Sequence, residues 1–85
     1  MAAAVRKAYK FVVSLADAAG ITDALEDAVL GAGCDDALLW CRSGAVSLTF
    51  HREAGSLGSA IGSAIEDVER AGLIVARVEV DTPKL

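Results

Sequence analysis

The feature of this chain that most limits its fold is the succession of its hydrophobic periods. A two-residue alternation from Tyr9 to Leu15 gives way to a helical spacing from Ile21 to Ala32. A short hairpin pattern follows, Ala37 to Arg52, bent at Ser43-Gly44. A second helical run covers Ser56 to Ala71, and a last alternating stretch covers Leu73 to Asp81. The order is therefore strand, helix, strand, strand, helix, strand.

That order is the split βαβ, or ferredoxin-like, arrangement. It predicts an α+β domain in which a four-stranded antiparallel sheet of order 4-1-3-2 carries both helices on one face. In the first strand Tyr9, Phe11, Val13 and Leu15 share one side, while Lys10, Val12 and Ser14 share the other. With Ser43-Gly44 as a two-residue turn, Arg42 faces Ala45, Trp40 faces Ser47 and Leu38 faces Thr49. Ala37, Leu39, Cys41, Val46, Leu48 and Phe50 then make one apolar face, which is the expected core. Thr22 is a competent N-cap for the first helix, with Asp23, Glu26 and Asp27 near its positive end. Gly31 and Gly33 can end that helix, and Gly72 the second. The second helix is expected to bury Leu57, Ala60, Ile61, Ala64, Ile65 and Val68, with Gly58 and Gly62 packed closely against the first helix. In the last strand Ile74, Ala76, Val78 and Val80 should point inward, and Val75, Arg77 and Glu79 outward.

At 85 residues the chain is one domain with a small core. Its 54% hydrophobic content overstates that core, because seventeen of the residues are alanines that bury little area. The whole of 1–85 is read as a single unit, with residues 1–7 and 82–85 as frayed tails. No apolar run reaches the roughly 18 residues that cross a bilayer. Charge follows the short apolar start rather than preceding it, the reverse of a secretory leader. Two cysteines supply no disulfide framework, so a cytoplasmic location is expected. Net charge is −4, and Asp17, Asp23, Glu26, Asp27, Asp35 and Asp36 fall in a span from Phe11 to Cys41 without Lys or Arg. A nucleic-acid binder needs a basic stripe, and that span argues against one.

The open side of the expected sheet is the natural place for a partner. Trp40 and Leu38 stand there with Val12, Thr49 and Val75 as neighbours, and an exposed indole is a strong protein anchor. Base stacking is not indicated, because the outward residues of the central strands (Lys10, Val12, Ser47, Thr49 and His51) include no Phe or Tyr. Cys34, Asp35, Asp36 and His51 could form a nucleophile set only if the thiol reached the imidazole, and nothing in their spacing requires that. Cys34 is expected to fill the helix-to-strand turn, with Asp36 and His51 as an exposed cross-strand pair. Cys34 and Cys41 lack the close spacing of soft-metal sites, so no metal and no cofactor are expected. Gly55 to Ser59 has the composition of a phosphate loop without its lysine.

Two resemblances bear on function. Asp17-Ala-Ala-Gly20-Ile21 resembles the Asp-x-x-Gly-Leu motif of amino-acid-binding ACT domains, which implies a small-molecule sensor acting at Asp17 and Gly20 of a dimer. The stretch Ala32-Gly-Cys-Asp-Asp-Ala-Leu-Leu, with Gly44, Val46, Leu48, Phe50, Arg52-Glu53-Ala54 and the Leu57, Ile61, Ile65, Val68 spacing, resembles a group of small bacterial helix-turn-helix and antitoxin-like regulators. In that group an α+β domain precedes DNA-reading helices. Thr82 to Leu85 has no room for a recognition helix, so DNA binding is not expected to carry over. The expectation is a non-enzymatic interaction or oligomerisation module of a bacterial regulatory system. Its partners would be itself, as a dimer, or another protein, with no nucleic acid and no membrane.

Overall fold

A computed structural model describes residues 7–16, 20–34 and 36–80. Six elements follow in the expected order: β1 (Lys7–Ala16), α1 (Asp23–Gly31), β2 (Ala37–Arg42), β3 (Ala45–Ala54), α2 (Leu57–Arg70) and β4 (Ile74–Val80). Every pairing is antiparallel, and the sheet runs β2-β3-β1-β4, which is 4-1-3-2 read from the other edge. The fold is α+β. The expected frayed ends lie outside the described residues, except that Lys7 opens β1.

Local chemistry explains where the elements start and stop. Thr22 Oγ1 accepts from the Leu25 N–H at 3.1 Å, the expected N-cap of α1, and Ser56 Oγ accepts from the Ser59 N–H at 3.1 Å, capping α2 where its helical run begins. Both helices end alike. Gly33 takes a φ of 94° and donates to Leu30 O, while Cys34 donates back to Val29 O. Gly72, at φ 84°, and Leu73 repeat this on Glu69 and Val68. Such a left-handed exit satisfies carbonyls that the last turn would leave bare. At the hairpin Ser43 and Gly44 both have positive φ, 53° and 77°, the twist that a two-residue turn needs.

The hydrophobic core lies between the sheet and the helices. Phe11, Val13, Val46, Leu48 and Phe50 are fully buried, and Leu15 nearly so. Phe11 and Phe50 are direct cross-strand partners, and their rings stack 5.4 Å apart. Ala60 and Ala64, with no exposed surface, bring α2 down close to the strands, and Val68, Val29 and Cys34 complete the layer.

Three details depart from expectation. First, β4 carries a bulge: Leu15 pairs with Val75 while Ser14 pairs with Arg77, so Ala76 is an extra residue. The bulge shifts the alternation by one. Val75 therefore packs against the core rather than standing on the open face, and Ile74 is 57% exposed rather than inward. Second, Cys41 is exposed, because β2 is an edge strand whose turn end lies beyond helical cover. Third, Gly58 and Gly62 lie on the exposed side of α2, two residues off its Ala60–Ala64–Val68 stripe. A side chain added at either would meet nothing within 4 Å, so no close helix contact explains them.

Candidate functional site

Both helices pack on one side of the sheet, and no described element covers the other side. The registers arrange that open face in rows. Leu38, Thr49, Val12 and Glu79 lie side by side across β2, β3, β1 and β4. Two residues along, the next row is Trp40, Ser47, Ser14 and Arg77. Past it, at the hairpin turn, Arg42 faces Ala45, and at the opposite end His51 faces Lys10.

This order places bulk at the sides and small side chains in the middle. Leu38 and Trp40 on β2 form one wall, Arg77 and Glu79 on β4 the other, and Thr49, Val12, Ser47 and Ser14 the floor. The result is a trough of about 830 Å³ running along the strands. Its aromatic wall is held in place, since the Trp40 indole N–H donates to Thr49 Oγ1 at 2.8 Å. Ser47, 5% exposed, bonds Ser14 Oγ at 3.5 Å. Leu38 stands clear, 67% exposed, although a leucine is normally sheltered.

Of the residues expected on this face, Trp40, Leu38, Val12 and Thr49 come together in the trough and Val75 does not. Asp17 and Asp35 lie outside the described residues. Gly20 is half-buried, its φ is not positive, and a side chain there would meet nothing within 4 Å, so no crowding requires glycine at that loop. Cys34 is sealed under the helices while His51 lines the opposite face, so the sheet separates thiol from imidazole. Among the described residues, no three His, Cys, Asp or Glu side chains gather as metal ligands. No described helix is long and apolar enough to cross a membrane.

Asp36 does not pair with the His51 side chain; only the His51 N–H meets the Asp36 carbonyl, at 3.1 Å. Its carboxylate turns instead to Arg52, accepting from Nε and Nη2 at 2.8 Å each. Arg52 also donates to Asp67 at 2.9 Å, to Ser63 Oγ at 3.1 Å and to the Gly33 carbonyl at 3.3 Å, and its guanidinium sits 5.0 Å over the Phe50 ring. This knot joins β3, α2 and both sides of the α1–β2 connection. The Arg52 hydrogen bonds hold the Asp36 carboxyl below its ordinary value and push the guanidinium further up. Sequence reasoning missed it, though the signal was present. Arg52 continues the even-numbered phase of Val46, Leu48 and Phe50, so an inward-facing cation demanded carboxylates on that side.

The Arg52 knot is fully bonded and serves the fold, whereas the trough is not covered by any described element. No family model matches the chain, and no curated protein or solved structure matches it. The trough's own chemistry is therefore the guide to function.

Proposed function

We propose that this chain is a non-enzymatic protein-interaction module of ferredoxin-like topology that takes a polypeptide partner on its open sheet face around Trp40. The strand order and the βαββαβ succession support the topology. One observation carries the functional reading. A rigidly held indole and a largely bare leucine share one wall of a trough, while the hydrophobic core is already complete on the other side of the sheet. Large apolar side chains grouped at the surface mark contact sites, and a hydrogen-bonded Trp presents its area at little entropic cost.

The test is whether binding depends on that wall. Peptides selected from a random display library against the full chain, or second copies of the chain at high concentration, should be retained by the parent and lost on Trp40→Asp and Leu38→Asp. The variants should keep the parent's circular dichroism and melting. Ligands that bind Trp40→Asp as well as the parent would sink the reading, as would ligands that protect α2 amides rather than sheet amides.

A further inference from the structure

The described charges of this molecule are unevenly divided between its two faces. Described carboxylates crowd the helical side: Asp23, Glu26 and Asp27 on α1, and Glu66, Asp67 and Glu69 on α2. The trough has the opposite balance. Among the described residues, Lys10, Arg42 and Arg77 line it with Glu79, which lies 3.3 Å from Arg77, while Glu53 stands on the same face beyond His51 and outside the lining. A chain of net charge −4 thus presents a cationic hollow.

The cations are placed usefully. Arg77 stands in the same row as Ser14, Ser47 and Trp40, with its backbone about 14 Å from that of Trp40 across three strand spacings. Arg42 lies two residues beyond Trp40 on the same wall. Between the two arginines is the serine pair, in which one hydroxyl proton is used within the pair and the Ser14 proton has no acceptor among the described residues. A hydroxyl donor, Ser14, flanked by guanidinium groups makes a carboxylate seat, and a carboxylate there meets charge-assisted hydrogen bonds.

We propose that the trough binds an acidic peptide segment of another protein, with a carboxylate of that segment over Ser14 and Ser47 between Arg42 and Arg77, and its apolar side chains against Trp40 and Leu38. The proposal rests on the docking reading above and names the chemistry of the partner. Two competitors fit these groups less well. A second copy laid face to face would set these arginines against their own kind, with Glu79 as the carboxylate among the described lining residues. A single-stranded nucleic acid wants several stacking rings along a basic track, and this face has one indole on an acidic protein.

From the Arg42 row to the His51 row is six residues along β3, about 20 Å, a length matched by about six extended or about thirteen helical residues. Random peptides of about twelve residues displayed on phage, selected against the full chain and sequenced as a pool, therefore read the occupant's chemistry. The expected pool is net negative with at least one large apolar residue. Its best member, titrated against Trp40 fluorescence, should bind the Arg42→Glu/Arg77→Glu variant at least about tenfold more weakly, a loss of the size seen when charge pairs are broken. The same variant should select basic peptides in place of acidic ones.

A neutral or basic pool from the parent overturns the proposal, and so does a pool unchanged by the charge reversal. Tighter binding of a single-stranded oligonucleotide than of the best acidic peptide also overturns it, in favour of nucleic acid. So does a solution mass that rises with protein concentration and reverts on charge reversal, which would seat another copy's acidic helical layer in the trough. Enrichment that needs Trp40 but shows no acidic bias removes this inference alone. No Trp40-dependent enrichment removes the docking reading with it.

Discussion

Arg52 and Arg42 stand on the two faces of one sheet, and their surroundings could hardly differ more. Arg52 points inward, is 8% exposed, and has every direction of its guanidinium filled by Asp36, Asp67, Ser63, the Gly33 carbonyl or the Phe50 ring. Arg42 points outward beside Trp40, is exposed, and has no carboxylate within ion-pair distance among the described residues. The same side chain is structural where the environment completes it and available where the environment does not. The rest of the sheet repeats the lesson: the covered face is closed by its own helices, and the open face presents a half-furnished surface of aromatic, hydroxyl and cationic groups.

The largest effect that can break this contrast lies in the covered layer. Phe50→Ala removes a fully buried ring that stacks on Phe11 and underlies Arg52, and should cost about 3–5 kcal/mol in denaturant unfolding. Leu38→Ala, a truncation on the open face, should change stability by no more than about 0.5 kcal/mol. Similar losses at both positions would mean that the open face is as much a part of the fold as the closed one.

Next in size is the ion cluster. Asp36→Asn exchanges charge-assisted bonds for neutral ones and should cost about 2 kcal/mol at neutral pH. The sign of its pH dependence follows from the direction of the shift. Because the Arg52 hydrogen bonds hold the Asp36 carboxyl below its ordinary 3.8, its contribution is complete above that value and disappears as pH falls through the lower folded one. Unfolding curves taken from neutral pH down to about pH 2 should therefore converge for the parent and Asp36→Asn. A gap that stays constant would detach Asp36 from the acid limb. Arg52→Met and Arg42→Met give the direct comparison: the first leaves Asp36 and Asp67 without their shared cation and should destabilise by about 2 kcal/mol, the second by less than about 0.5 kcal/mol.

The smallest expected change is a gain. Gly62→Ala lies within α2, where the added methyl meets nothing within 4 Å, and should raise stability by about 0.5–1 kcal/mol. A loss instead would reveal a contact at that exposed strip that the isolated chain does not show.

Much of this architecture was legible before any coordinates. Alternation assigned Tyr9 to Leu15 and the hairpin from Ala37 to His51 to their faces, and the Arg42–Ala45, Trp40–Ser47 and Leu38–Thr49 pairs follow from one two-residue turn. Thr22, Ser56, Gly33 and Gly72 announced the helix ends. Legibility failed wherever a residue's role depended on something other than period. Ala76 carries no bulge signature, and without it the inward and outward residues of β4 near Ile74 and Val75 exchange places. Cys41 obeys its phase but lies where no helix reaches, which only the packing of the layers decides. Asp36 leaves the strand pattern at a turn and swings to Arg52, 16 residues on, a pairing that no local spacing encodes. The trough needed both levels: its members could be named from alternation, but its concavity arises from the order of the strands, which puts bulky side chains on the outer two.

The kink at Ala76 has one further consequence. It sits on an outer rim of the sheet, beside the charged Arg77 and Glu79, and irregular charged rims resist the addition of foreign strands. The opposite rim, β2, is six residues long and pairs without interruption. Lateral joining through β2 would yield a twofold object whose outward margins are both kinked, and growth would stop there. Joined that way, two copies would leave only kinked, charged edges outward.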